Sequence, residues 1–232
     1  MSLGLGPAEW QVVGLSMQVA IWATLASLPF GILAALMLAR GRFWGREALN
    51  ILVHLPLVLP PVVTGYLLLL LFGSQAPLGR FFEATLGLSF AFRWTGAALA
   101  CAIMAFPLMV RAIRLSIEAV DPKLEEAAAT LGASRLRIFA TLTLPLALPG
   151  ILAGMVLGFA KALGEFGATI TFVSNIPGQT QTIPTAIYSL LQVPGQENAA
   201  LRLILISIAL SAGALIASEW LARSMTKRMR GS

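Results

Sequence analysis

Six stretches of this chain contain no Asp, Glu, Lys or Arg, and they constrain its fold more than any other feature. They cover residues 10–39, 48–79, 94–110, 138–160, 166–196 and 203–218. About 20 apolar residues are needed for a helix to cross the hydrocarbon core of a membrane. Only helices or closed barrels can cross it with all backbone groups paired, and the alternating pattern of barrel strands is absent. The stretches therefore predict an all-α fold, a polytopic bundle of membrane-spanning helices.

Composition agrees with a membrane protein. Only 11% of the residues are charged, 58% are hydrophobic and the mean hydropathy is +0.85, whereas about a quarter of the residues of a soluble domain are charged. The first apolar run is too long for the core of a signal peptide, so we interpret it as a retained span. Cys101 is the only cysteine, which excludes an intrachain disulfide framework.

The positions of Arg and Lys predict the orientation. Loops rich in these residues remain cytoplasmic, and twelve of the 16 basic residues fall after the first run, in or beside a central insert, or in the C-terminal tail. A path with the N-terminus outside and the C-terminus in the cytoplasm places all twelve inside. It requires five full spans, near 11–39, 48–72, 94–115, 141–163 and 202–222. The net charge of +6 then reflects topology and contact with anionic membrane lipid, and we expect no nucleic-acid partner.

The run 166–196 is too polar for a plain span. Its compact apolar piece, 183–192, covers about half a membrane thickness, so we expect an outer-face loop carrying a short re-entrant or interfacial helix. The alternative is a sixth span. We expect one transmembrane domain over residues 1–232, because no repeat or low-complexity linker divides the chain.

Prolines and hydroxyl residues mark a candidate pathway or gate. Proline removes a backbone donor and kinks a helix, and the prolines of the second span could expose carbonyls to a water-filled cavity or simply bend a structural helix. Hydroxyl groups could line such a pathway, although each could equally serve helix packing. The candidates are Pro60, Pro61, Thr64, Ser174, Thr180 and Thr182. Lys161 and Glu165 are spaced to pair on one helix face, and we expect a structural role for Glu165.

The central insert, about residues 118–142, has the local signals of two short helices. Asp121-Pro122 is a strong helix start, Gly132 stands where a helix ends through a left-handed glycine, and Ser134 can cap a second helix that leads into the fourth span. A neighbouring surface could approach closely over Ala127 and Ala128.

The insert resembles the coupling segment of bacterial ABC importer permeases. That pattern is Glu-Ala-Ala, three residues, Gly, nine residues, a branched apolar residue, one residue and Leu-Pro. Here it is Glu126-Ala127-Ala128, Gly132, Leu142 and Leu144-Pro145, with Leu142 where Ile is usual. The resemblance implies a bundle of the type I ABC importer permease kind, and docking of the insert into a groove of an ATP-hydrolysing subunit. The implied coupling residues are Glu125, Glu126, Ala127, Ala128, Gly132, Arg135 and Arg137.

A closer resemblance covers about residues 8–225. FPLMVRAIR at 106–114, TLGASRLRIF at 130–139 and LGEFGATITFVSNIPGQTQTIPTAIYSLLQ at 163–192 are similar to permeases of molybdate importers. This family implies a homodimer in the bacterial inner membrane, two cytoplasmic ABC ATPase subunits that use ATP and Mg²⁺, and a periplasmic molybdate-binding protein. The permease itself would bind no cofactor and carry no catalytic or metal-binding residues.

Other functions remain as alternatives. Tungstate is handled by close relatives of this family, and permeases for sulfate, thiosulfate or another oxyanion are the nearest competitors. An ion-gradient-driven transporter would place ionisable residues in mid-span, and the central thirds of these spans lack them. The sequence has no GxxxxGK[ST] motif and no His-rich or paired acidic set, which argues against an enzyme.

Overall fold

The computed structural model describes the backbone of residues 6–230 and the side chains of residues 6–217 and Trp220. This part of the chain forms helices joined by turns and short loops, without strands, and a π-helical turn, Phe139–Thr143, joins α7 to α8. The α-helices are α1 (Pro7–Arg40), α2 (Arg46–Val58), α3 (Pro61–Phe72), α4 (Pro77–Leu86), α5 (Trp94–Glu118), α6 (Pro122–Thr130), α7 (Arg135–Ile138), α8 (Leu144–Leu163), α9 (Gly167–Val173), α10 (Ile183–Leu191) and α11 (Glu197–Arg230).

Within the described residues, four continuous helical segments are long and apolar enough to cross a membrane, and one broken pair makes up to five. The four are Pro7–Arg40, Trp94–Glu118, Arg135–Leu163 and Glu197–Ala217, which correspond to the predicted spans 11–39, 94–115, 141–163 and 202–222. The all-α polytopic fold is therefore confirmed. The basic side chains of the C-terminal tail, after Trp220, lie outside the described residues.

The predicted second span, 48–72, is not one helix. Helices α2 and α3 meet at a bend of 115°. The residue before a proline is held in extended conformation, and Leu59 has φ −70° and ψ 140°. Pro60 is also extended, and Pro61 begins α3, where its missing N–H costs nothing. The kink expected from the prolines is thus a complete break.

The segment 166–196 contains two short helices. Helix α10 confirms the short helix expected at 183–192, whereas α9 was not predicted. Ser174 ends α9 with φ 65° and ψ −161°, a backbone conformation that is almost confined to glycine. The segment is not an open loop, because Thr169, Thr180 and Thr185 are at most 1% exposed.

Helix α5 lies at the centre of the bundle and packs against α1 and α8. Glycines on α8 permit this approach. A Cβ atom at Gly150 would lie 2.1 Å from the Cβ of Ser116, and one at Gly154 would lie 3.0 Å from the carbonyl oxygen of Met109. One buried apolar cluster, which includes Met109 and Ile113, fills the space between α1, α2, α5 and α8. The central insert therefore connects two tightly packed helices, α5 and α8.

Replacing Gly150 with alanine is expected to destabilise the bundle by about 1–3 kcal/mol, because an added methyl group has no room beside Ser116. Gly14→Ala on α1 is the matched control. Its Cβ would meet nothing within 4 Å, and alanine is the better helix former by about 1 kcal/mol. Thermal unfolding of both variants in detergent would test this, and equal melting temperatures would contradict the packing argument.

Candidate functional site

The insert between α5 and α8 folds as its local signals predict. The Asp121 side chain caps α6 by accepting a hydrogen bond from the Lys123 backbone N–H at 2.9 Å. Gly132 has φ +85°, and the backbone N–H of Ala133 donates to the carbonyl of Ala128 at 3.1 Å, which closes the helix end. The Ser134 hydroxyl accepts from the Arg137 N–H at 3.4 Å and caps α7. The insert is therefore a helix-turn-helix projection.

We call this projection, residues 121–138, the coupling bump. No residue of α6 is buried, although an apolar face is normally needed to hold a surface helix in place. Glu126, Ala127, Arg135 and Arg137 are exposed and Ala128 is half-buried. Three leucines that the sequence analysis did not single out are also exposed, by 48%, 88% and 77%: Leu124, Leu131 and Leu136. Exposed leucines beside charged groups are typical of a surface that a protein partner covers.

Glu125 differs from the other predicted coupling residues because its carboxylate turns into the protein. One carboxylate oxygen accepts a hydrogen bond from the Thr143 hydroxyl at 2.7 Å. The other lies 3.2 Å from Nε of Arg40. This second contact is an ion pair without hydrogen-bond geometry. Both oxygens of Glu125 are therefore engaged within the chain.

Arg40, the last residue of α1, ties the bump to the bundle. Its guanidinium donates to the carbonyls of Ile117 at 3.1 Å and Val120 at 2.7 Å, at the end of α5. The last carbonyls of a helix have no partner within that helix, and the helix dipole makes this end favourable for a cation. Arg40 is one of the basic residues after the first apolar run that indicate orientation, and its bonding role has no local sequence signal because its partners lie far along the chain.

The candidate pathway residues of the second span lie at a close backbone approach. A Cβ at Gly65 would lie 2.5 Å from the carbonyl oxygen of Ala168, so α3 packs directly on α9. Thr64 is 6% exposed, and its hydroxyl finds no hydrogen-bond partner among the described residues. Pro60 and Pro61 form the break before α3. The structure thus brings Pro60, Pro61 and Thr64 together beside α9.

Two of the other candidate hydroxyls, those of Thr180 and Thr182, make local contacts. The hydroxyl of Thr180 accepts from the Ile176 N–H at 2.9 Å and donates to the Ser174 carbonyl at 3.3 Å. Thr182 precedes α10, where its hydroxyl lies 3.4 Å from the Thr185 hydroxyl and its backbone N–H donates to that same hydroxyl at 2.9 Å. Ser174 is exposed. The contacts of Thr180 and Thr182 therefore stabilise the turn between α9 and α10, whereas the Ser174 hydroxyl makes no such contact in the described part of the chain.

The expected pair of Lys161 and Glu165 is present. The Lys161 amine lies 2.7 Å from one carboxylate oxygen of Glu165, and the other oxygen accepts from the Ala168 N–H at 3.1 Å. The Glu165 residue is 2% exposed. A buried charge needs both a partner and hydrogen bonds, and Glu165 has both, so the structure supports the structural role expected for it.

A polar cleft of about 300 Å³ opens between α2 and α5. Asn50, His54, Arg111 and Arg114 line it together with Glu118. The His54 ring nitrogen Nδ1 lies 2.9 Å from the Asn50 carbonyl oxygen, and Arg114 bonds both Asn50 and Glu118. In the described part of the chain, no group of three His, Cys, Asp or Glu residues could hold a metal ion.

Comparison with known proteins agrees with this architecture. Residues 27–227 match the model of the family described as "Binding-protein-dependent transport system inner membrane component". The "Molybdenum transport system permease protein ModB" of Escherichia coli (strain K12) is 60% identical over 220 residues, which are 95% of this chain and 96% of that protein. The protein of the same name from Haemophilus influenzae is 56% identical over 221 residues, again 95% and 96% of the two chains.

A solved structure shows the same fold at low identity. It is the "Crystal structure of a bacterial ABC transporter involved in the import of the acidic polysaccharide alginate", with a TM-score of 0.74 and 20% identity over 96% of this chain and 81% of that one. The fold is therefore that of a permease of this transporter class, and the family match, which begins within α1, covers the coupling bump and the later long helices. The chain belongs to the family of binding-protein-dependent transport system inner membrane components.

Proposed function

We propose that this chain is the membrane-spanning permease subunit of an ATP-driven importer that translocates molybdate across the bacterial inner membrane. One observation carries the substrate, the near-full-length identity to molybdenum transport permeases. Tungstate is a second candidate substrate, because it resembles molybdate in size and charge. We also propose that residues 1–232 form a single transmembrane domain.

The proposed partner at the coupling bump is a cytoplasmic ABC ATPase subunit, one for each permease. A capped helix with no buried residue, three exposed leucines and small alanines would fit a groove in such a protein. We assign docking to Glu126, Ala127, Ala128, Arg135 and Arg137, with Gly132 setting the turn. ATP and Mg²⁺ would be bound by the partner, so this chain would contribute motion and no cofactor site.

We further propose a homodimer with the N-terminus outside and the C-terminus in the cytoplasm. Many large apolar side chains of α1, α2, α3 and α11 are exposed in the single chain, which is typical of faces covered by lipid or by another subunit. A periplasmic molybdate-binding protein would dock on the opposite membrane face from the bump. In such an assembly, selectivity can rest with the binding protein, and the permease needs only a passage.

The neutralised charge pair at the end of α8, Lys161 and Glu165, supports an anion passage. Glu165 is a buried carboxylate two residues before Gly167, whose backbone closely approaches Pro61 at the break between α2 and α3, and Lys161 neutralises it. A dianion could then pass on hydroxyl and backbone N–H donors near Pro60, Pro61, Thr64 and Ser174. The local bonds of Thr180 and Thr182 make these two residues supports of that passage in our proposal.

Uptake by the complete complex in proteoliposomes tests the proposal. The permease, the ATPase subunit and the binding protein would be reconstituted together, and molybdate, tungstate and sulfate uptake measured with and without ATP. We expect ATP-dependent uptake in which molybdate or tungstate outcompetes sulfate. Preferred uptake of sulfate would overturn the substrate, and gradient-driven uptake by the permease alone would overturn the ATP-driven class.

A further inference from the structure

Arg40, Glu125 and Thr143 form a connected network at the base of the coupling bump, which we call the strut. Each residue belongs to a different element. Arg40 ends α1, Glu125 lies in α6, and Thr143 ends the π-helical turn that leads into α8. Through the Ile117 and Val120 carbonyls, Arg40 also holds the end of α5. The strut therefore joins the bump to three long helices at one point.

The strut is more than an exposed ion pair. The Arg40 and Glu125 side chains are 25% and 21% exposed, and Thr143 is 2% exposed. Exposed pairs contribute little because two long side chains lose freedom for a weak attraction in water. Here the guanidinium is already fixed by two carbonyls, and the carboxylate by a buried hydroxyl. The cost of ordering both groups is therefore shared with other bonds.

The two adjacent glutamates of α6 point to different tasks. Glu126 is exposed and makes no ion pair among the described residues. The carboxylate of Glu125 contacts Thr143 and Arg40 within the chain, so it is turned towards the bundle and away from a docked protein. The docked ATPase subunit would contact one side of α6 at Glu126, while Glu125 would fix the other side of the same helix to the bundle.

We propose that the strut transmits the movement of the docked α6 to α1, α5 and α8, with Arg40 and Glu125 as its positioning residues. This inference rests on the proposed function, since it requires an ATPase docked on the bump. Apart from its chain connections, α6 is held to the bundle mainly through the strut, because none of its residues is buried. Without the strut, α6 would follow the ATPase while the long helices did not, and ATP hydrolysis would continue without matching transport.

The test compares uptake with ATP hydrolysis in the reconstituted complex. The variants are Glu125→Gln, which keeps an acceptor for Thr143 but removes the charge, and Arg40→Gln. Arg42→Gln and Glu47→Gln are the matched controls, because both residues are exposed and make no ion pair in the described part of the chain. We expect the strut variants to bind the ATPase subunit normally and to transport at least about fivefold less oxyanion per ATP, the low end of coupling between linked sites. The controls should keep the normal ratio.

Two further variants separate positioning from folding. Thr143→Ser keeps the hydroxyl donor and should keep the transport ratio, whereas Thr143→Val should lower it. The double variant Arg40→Gln with Glu125→Gln should be no worse than either single variant, since residues acting as one unit are not additive. Normal transport per ATP in the Glu125 and Arg40 variants would overturn the strut, and so would loss of ATPase binding in Glu125→Gln.

Failure of the proposed substrate would be visible separately. The amount of oxyanion transported per ATP hydrolysed is measured with whichever oxyanion the unsubstituted complex transports. Preferred sulfate uptake by that complex would overturn the molybdate proposal, while the comparison between the strut variants and their controls would still decide the role of Arg40 and Glu125.

Discussion

Replacing Gly132 with valine is expected to eliminate ATP-dependent uptake while the long helices remain folded. Gly132 has φ +85°, a region that L-residues enter at a cost of about 1–2 kcal/mol and β-branched residues enter most reluctantly. A Cβ there would meet nothing within 4 Å, so the effect acts through the backbone alone. The turn between α6 and α7 would relax, and the two halves of the coupling bump would no longer present one surface. Co-purification of the ATPase subunit and uptake would both be measured.

Gly87→Val is the matched control for this variant. Gly87 also follows a helix, with φ +65° in the left-handed region, and its Cβ would likewise meet nothing within 4 Å. The backbone strain is therefore similar, but it falls outside the bump. We expect Gly87→Val to retain the ATPase subunit. Equal retention of that subunit by Gly132→Val would show that the turn does not shape the docking surface.

The coupling bump could be predicted from the sequence because its signals are local. A cap, a left-handed glycine and a second cap each act on the next few residues, and the structure contains all three at Asp121, Gly132 and Ser134. The long apolar helices were predictable for a similar reason, because length and the absence of charge decide whether a helix can span a membrane. Docking by these residues stays a prediction.

Features that depend on distant parts of the chain could not be predicted. The inward turn of Glu125 requires Arg40 from α1 and Thr143 from the start of the next long helix, and no short-range pattern indicates either partner. The prolines indicated a kink but not its size. The angle of 115° between α2 and α3 depends on how α3 packs on α9, which is distant in sequence. The hydroxyls of Thr180 and Thr182 could serve a pathway or a turn, and only their hydrogen bonds show the turn.

Replacing Lys161 with methionine is expected to destabilise the permease by about 3–5 kcal/mol, because it removes one partner of a buried ion pair and leaves the other charge uncompensated. The Glu165 side chain is 1% exposed, so water would solvate its carboxylate poorly after the amine is lost. The variant would also leave a negative charge beside the proposed anion passage. The unfolding temperature in detergent and the rate of oxyanion uptake should both fall. Uptake should fall further than the loss of stability alone explains. Lys161→Arg, which keeps the charge, should recover most of both.

Arg114→Met provides the comparison, since Arg114 and Glu118 are also four residues apart, with a nitrogen-to-oxygen distance of 2.8 Å. Here the carboxylate side chain is 35% exposed, and water can solvate it when the arginine is lost. Exposed pairs contribute about 0–1 kcal/mol, and the bond from Arg114 to Asn50 at 3.2 Å would add about 1 kcal/mol, which together is less than the effect expected at Lys161. The two substitutions differ mainly in the burial of the remaining carboxylate, so burial sets the expected difference in stability. Equal destabilisation by Lys161→Met and Arg114→Met would contradict this account of the Lys161–Glu165 pair.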